Sequence, residues 1–376
     1  MIEIINEMNT FYRMITVFAG VVLFATCTTR PATTGIVNAD DDTGQGQPLD
    51  TITLAMTGDV MMGNIYPHER LPRDSARHLF DDVAPTLQAA DITLGNLEGT
   101  FAYHGRNRKN PNSKMAFMFM MPPHFVKRLV EAGYDFMGLA NNHIYDFWTE
   151  AMVSTEQTLQ QAGIAYAGSH DPTGKHQSPE YAVLKVRNVT IGLCAFSHEN
   201  YTLRLQDTAT VHRIIAHLDS VCDLVVVSMH AGAEGSAARH LPDQTEYLQG
   251  DDRGHLRVFT HLCVDWGADV VYGHGPHVCR AMELYKDRFI AYSLGNFCTC
   301  GMGIAGVTGY APIAVVRVDS QGRFVDGRIE SYLQRYMEGP RRDPDHHAAR
   351  EIATLTREDF AHPLIDISSH GVISRR

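Results

Sequence analysis

The turn G-H-G-P-H, residues 273 to 277, sets His274 and His277 directly after the apolar run ADVVY. Neutral imidazole is the commonest protein metal ligand. The same arrangement recurs along the chain, with apolar runs ending in short, chemically loaded turns. TGDV delivers Asp59, and GNLEG delivers Asn96 and Glu98. ANNHIYD delivers Asn141, Asn142, His143 and Asp146, and MHAGAE delivers His230 and Glu234. The later stretch YSLGNF adds Asn296. Taken singly, each residue has an ordinary use. Asp59 or Asn142 could close an Asx turn, and His143 could be a hydrogen-bonded core histidine. Asp146 could cap a following helix, and Glu234 could be a solvated loop acid or support a neighbouring ligand. Their joint placement argues otherwise. Carboxylate, amide and imidazole together suit a borderline divalent ion such as Mn²⁺, Fe²⁺ or Zn²⁺, one or two per chain.

The elements needed to bring these turns together can be read from periodicity. Strands are expected at 51–57, 91–97, 134–140, 223–230 and 268–274, with a hairpin over 181–187 and 189–196 around Arg187-Asn188. Helices are expected at 73–90, 122–133, 148–162, 207–219 and 254–266, with strands dominating from 279 to 331. The polar stretch AYHGRNRKNPNSK, 102–114, reads as an inserted loop. Alternating helices and strands followed by late antiparallel strands imply α/β architecture with two packed sheets. In such sheets, ligands sit beyond the carboxyl ends of the strands. That is where these polar turns fall.

TGDVMMGN, GNLEG, ANNHIYDF, MHAGAE, GHGPH and YSLGNF, in this order, resemble the bacterial capsule synthesis protein CapA family. That family is associated with poly-γ-glutamate capsule formation and is related to calcineurin-like metallophosphatases. The resemblance spans roughly residues 52 to 330. It implies a metallophosphatase-like four-layer sandwich, two packed mixed sheets flanked by helices. It also implies roles: Asp59 as a first-metal carboxylate, Glu98 as a bridging ligand, Asn142 and His230 as second-metal ligands, and His274 with His277 as the closing pair. His143, with Asp146, is similar to the catalytic histidine that protonates the leaving group. Asn96, Asn141, Glu234 and Asn296 stand where they would support those ligands. The sequence departs from the pattern at Met61, where a metallophosphatase histidine is usual, so one metal set is a ligand short. Trp148 stands where glycine is usual, and Ala231 where an aromatic residue is common.

The net charge of −11 and the lack of a long basic run speak against nucleic acid as a partner. An anionic polymer or phosphoester remains compatible if cations lie near the site. The segment Met14 to Cys27 has the length of a signal-peptide apolar region, although Glu3 and Glu7 precede it and translation from Met8 would remove both. Small residues Ala25 and Thr26 before Cys27 favour a lipoprotein signal over 1–27, with lipid on Cys27 and a membrane anchor. Residues 28–50 read as a flexible linker, 51–335 as the CapA-like domain, and 336–376 as a peripheral tail with a helix near 346–356. The expected location is the cell envelope. Cys194, Cys222, Cys263 and Cys279 lie in or beside apolar segments, while Cys298 and Cys300 form a C-x-C pair open to metal binding or oxidation. Two functions follow. One is an exported metal-dependent hydrolase of capsule biosynthesis. The other is a non-catalytic surface protein that binds or anchors an anionic capsular polymer.

Overall fold

The computed structural model describes residues 51–109, 117–302 and 304–376. The signal segment, Cys27 and the linker lie outside the described residues, as does part of the 102–114 loop.

Ten strands form the larger sheet. Its central strand, Ile52–Met61, runs parallel to Ile92–Leu97, which leads on through Phe136–Gly138 to Ala165–Ala167. On the other side Ile52–Met61 pairs antiparallel with Tyr310–Val318, and its far end pairs parallel with Asn296–Thr299. The smaller sheet has six strands, with Val270–His274 and Leu224–His230 parallel at its centre. The hairpin Tyr181–Val186 and Val189–Ser197 forms one edge.

The side-chain alternation of a strand explains both the layering and the site. Leu54 and Met56, Ile92 and Leu94, Leu224 and Val226, and Val270 and Tyr272 all bury themselves between the two sheets. The opposite parity faces the helices. Ala55 and Leu97 join the core against one helical layer. Val225, Val227 and Val271 join the core against the other. The result is a four-layer sandwich. Continuing the inter-sheet parity to the strand ends puts Asn96, His230 and His274 on that same face, past the last apolar residue.

The helices obey the same logic. Thr208–Val221 buries Val211, Ile214, Ile215 and Leu218, the 3.6-residue stripe, and Asp207 caps it by accepting the Thr210 N–H at 3.2 Å. The helix expected over 73–90 is not continuous. A tight turn covers Arg73–Ala76 and helix only Ala84–Gln88. Pro85 supplies the reason: it has no N–H to give and is tolerated only in a helix's first turn. Likewise Pro122 and Pro123 leave regular helix only over Val126–Ala132.

The tail is not peripheral. Gly339–Arg342, Ile365–Ile367 and Val372–Arg375 extend the larger sheet. Helix His347–Asp359 buries Ala348, Ala349 and Ile352 in the inter-sheet core. The charged surface of this segment hides an alanine- and isoleucine-lined stripe narrow enough to escape a composition reading. Cys298 and Cys300 are buried free thiols with Sγ atoms 4.0 Å apart.

Candidate metal centre

Asp59 sits at the end of the central strand, where Gly58 lets another strand come close. A Cβ on Gly58 would lie 1.9 Å from the Gly295 carbonyl oxygen, and the Asp59 N–H donates to that same oxygen at 2.9 Å. This contact brings Asn296 into register with Asp59. From the other sheet, His274 pairs directly with His230 across adjacent parallel strands. The turn after His274 folds back over Ala231, whose N–H donates to the His274 carbonyl at 3.0 Å. Gly275 adopts φ +115°, and a Cβ there would stand only 2.7 Å from the Ala231 nitrogen. The close approach of the two backbones therefore requires glycine at 275.

The side chains converge. Asp59 belongs to two three-residue groups, one with His230 and His274 and one with Glu98 and His277, each with ligand atoms within 4.8 Å of one another. His277 Nδ1 lies 3.0 Å from Asp59 Oδ2, and its Nε2 lies 3.6 Å from Glu98 Oε1. His230 offers Nδ1 at 3.5 Å from Asp59 Oδ1 and Nε2 at 3.8 Å from Glu98 Oε1. Glu98 Oε1 thus faces histidines of both groups. His277 adopts φ 59°, a left-handed conformation uncommon for a residue with a side chain. Asn296 holds it there, donating to the His277 carbonyl at 3.2 Å and to Thr308 O at 3.1 Å, with its own Oδ1 3.1 Å from His277 Nδ1. Asn141 donates to Asn96 Oδ1 at 3.1 Å, and Asn96 donates to Asp59 Oδ1 at 2.8 Å. These amides fix the orientation of the carboxylate.

Fitness for a cation can be judged from what is left unpaired. Both oxygens of Glu98, Asn142 Oδ1, His230 Nε2 and His274 Nδ1 are buried without a hydrogen-bond partner. Orphaned buried polar atoms are costly, and here they are acceptors or neutral imidazole nitrogens in one place. Burial holds His230 down at about 4 and His274 at about 3, so both are neutral and carry a lone pair at pH 7. Asp59 is kept well below the usual carboxylate range: burial opposes this, but hydrogen bonds from His230 and His277 outweigh it. The donor set fits a divalent ion. Met61, by contrast, is buried in the helix-side core, so its thioether belongs to a different packing layer.

His143 stands at the edge of this cluster, with Nε2 3.8 Å from Glu98 Oε1 and Nδ1 2.7 Å from Asp146 Oδ2. Asp146 caps nothing. The following helix, Trp148–Ala162, starts from Phe147 without a side-chain cap. Instead Asp146 is fully buried, bound to His143, to the Phe119 N–H at 2.9 Å and to Lys109 Nζ at 2.7 Å. A cleft of about 230 Å³ opens beside the cluster, lined in part by Asn142, His143, Glu234 and His277. Lys109, His198 and Arg253 line it too, and sequence reading did not single them out. Lys109 lies in what reads as an inserted loop. Arg253, buried on a short hairpin, donates to Glu234 Oε1 at 2.8 Å and to the Gly232 carbonyl at 2.9 Å. Its only sequence signal is a lone cation. Glu234 in turn stands 4.0 Å from His277.

Comparison with known proteins places the chain in a family. Residues 53–300 match the family described as bacterial capsule synthesis protein PGA_cap. The chain belongs to that family. It is 27% identical over 260 residues to the capsule biosynthesis protein CapA of Bacillus anthracis, covering 66% of this chain and 60% of that protein. It is 27% identical over 257 residues to the PGA biosynthesis protein CapA of Bacillus subtilis (strain 168), covering 66% and 63%. The chain thus matches less than two thirds of the length of these curated relatives. Among solved structures, a hypothetical protein from Thermus thermophilus aligns at TM-score 0.46 and 14% identity, covering 75% of this chain and 99% of that one. That overlap is too loose to bear on chemistry. The PGA_cap match includes Asp59, Glu98, Asn142, His143, His230, His274 and His277. No helix among the described residues is long and apolar enough to cross a membrane.

Proposed function

We propose that this PGA_cap chain is a metal-dependent hydrolase of capsule biosynthesis, acting on a phosphoester or related bond of an anionic, poly-γ-glutamate-linked substrate. The observation that carries the reading is the convergence of Asp59, Glu98, His230, His274 and His277 into two metal-sized groups, with buried atoms of Glu98, His230 and His274 left unpaired among them. Mn²⁺, Fe²⁺ or Zn²⁺, one or two ions, would be held by these residues with Asn142. Such an ion supplies a water of lowered pKa and neutralises developing charge. The chain's own groups do the rest. The amides of Asn96 and Asn296 hold Asp59 and His277 in place. The imidazole of His143, tethered through Nδ1, presents Nε2 toward the cluster; as the imidazolium, which burial and Lys109 disfavour and Asp146 favours, it would give its Nε2 proton to a leaving oxygen. The apolar run ending at Cys27 supports export and a lipid anchor, for which cell fractionation is the check: an unprocessed cytoplasmic protein would refute it.

His143→Ala tests the chemistry. Metal content should hold while turnover on a phosphomonoester or phosphodiester falls about 100- to 10,000-fold, the usual worth of a general acid. The loss should shrink on substrates whose leaving group is already acidic. One observation favours the non-catalytic alternative: Met61 offers the Asp59, Glu98 and His277 group no fourth donor from the first strand. A metal-loaded wild type inert toward phosphoester and γ-glutamyl substrates would decide for polymer binding.

A further inference from the structure

We infer that Lys109 is a positioning residue of this site: its ammonium fastens the His143–Asp146 pair to the metal-side Asn142 and contacts no substrate. The inference deepens the hydrolase reading and rests on it. Lys109 lines the cleft, with 23% of its side chain exposed, and a cation there invites the assumption that it binds the anionic substrate directly. The geometry says otherwise. An ammonium group has three N–H donors and no acceptor. Three oxygens surround this one: Asp146 Oδ1 at 2.7 Å, Phe117 O at 3.0 Å and Asn142 O at 3.3 Å. The remaining close atom, His143 Nδ1 at 3.3 Å, lies 2.7 Å from Asp146 Oδ2 and gives its proton there. The ion pair with Asp146 and the two carbonyl hydrogen bonds thus commit the ammonium to the protein.

The three contacts have different consequences. Asp146 is a fully buried carboxylate, and Lys109 is the full cation that touches it. Its two oxygens are divided, Oδ1 to Lys109 and Oδ2 to His143 and the Phe119 N–H. That division fixes the rotation of the carboxylate. The carboxylate, together with the Phe119 ring whose centroid is 4.2 Å away, fixes the plane of the imidazole. The Asn142 carbonyl, also bonded by the Tyr201 hydroxyl at 3.2 Å, ties the same ammonium to the turn that carries the amide ligand. Phe117 O ties it to the far side of the loop. Without Lys109, Asp146 keeps His143 but loses one of its three anchors, and His143 gains freedom to turn from Glu98. Orientation of a proton donor enters the rate and not the affinity for bound substrate.

The experiment compares Lys109→Met, which keeps an apolar stem, and Lys109→Ala with wild type, all metal-loaded. In Lys109→Met, kcat should fall about 10- to 100-fold with KM within about twofold and metal content unchanged. Ethylammonium should restore part of the loss in Lys109→Ala, and tetramethylammonium, which has no N–H, should not. A raised KM with unchanged kcat would make Lys109 a substrate cation and overturn the inference, as would rescue by both amines. A readout independent of turnover separates this failure from that of the hydrolase reading. The proton between His143 Nδ1 and Asp146 should give a low-field proton resonance in wild type that Lys109→Met loses or broadens. A wild type without turnover sinks the hydrolase reading alone. An identical resonance in Lys109→Met sinks the positioning role.

Discussion

The candidate ligands Glu98 and His277 are both strongly displaced titrating groups, and the sign of their displacement can be measured. Without metal, Glu98 is pushed up to about 8: burial is the main cause, His277 opposes it, and Asp59 and Glu234 add to it. His277 rises to about 10, because Glu98, Asp59 and Glu234 outweigh the burial that disfavours its charge. The two face each other, so they titrate as a pair. Unfolded, they would release their protons near pH ~4.3 and ~6.5. Between about pH 7 and 9 the folded metal-free chain therefore holds more protons than the unfolded one, and its stability falls as pH rises. His230 and His274, depressed by burial, act the other way, but only below about pH 6.5, where the unfolded chain protonates them first. Bound metal would displace the retained protons, so a loaded protein would escape the decline and binding would tighten with pH. Thermal melts of chelated and metal-loaded protein from pH 7 to 9 should diverge. A flat profile for the chelated protein would remove Glu98 and His277 from this role. At this scale the sequence was informative about which residues are chemical, since Asp, Glu, Asn and His all followed apolar runs. It was silent on Lys109, His198 and Arg253, because their meaning depends on which loops meet.

Between elements, the site depends on two strands from different parts of the chain touching at glycine. Gly58→Ala would drive its Cβ against the Gly295 carbonyl and force Asn296–Thr299 away from Asp59. Overpacking of this kind costs about 1–3 kcal/mol. The sharper effect should be on metal, because Asn296 would no longer hold His277 beside Asp59. Elemental analysis should show metal content reduced by more than half, with the far-ultraviolet circular dichroism retained. Full metal retention would mean that the Gly58–Gly295 contact does not organise the ligands. Strands were the legible elements, since period-two burial with a polar end is a strong pattern. The segment 73–90 misled because its apolar residues, Leu79, Phe80, Val83 and Leu87, have helical spacing. Pro85 interrupts the backbone hydrogen bonds that spacing would need.

For the whole molecule, the four layers exist to bring strand ends from two sheets to one place. Asp59 and Asn96 lie in strands of the larger sheet, with Glu98 in the turn after one of them, and His230 and His274 lie in the smaller. The layering could be read from the alternation of helix and strand, but the closure of the inter-sheet core by helix His347–Asp359 could not. Its apolar residues, mostly small alanines, are interleaved with Arg350, Glu351, Arg357, Glu358 and Asp359. Whether this assembly holds metal is tested most directly by metal stoichiometry, measured by mass spectrometry. Purified wild type should carry one or two equivalents of a transition metal, and His230→Ala and His274→Ala should each lose more than half of it. Wild type without metal after loading, or both variants with wild-type content, would contradict a metal centre at these strand ends.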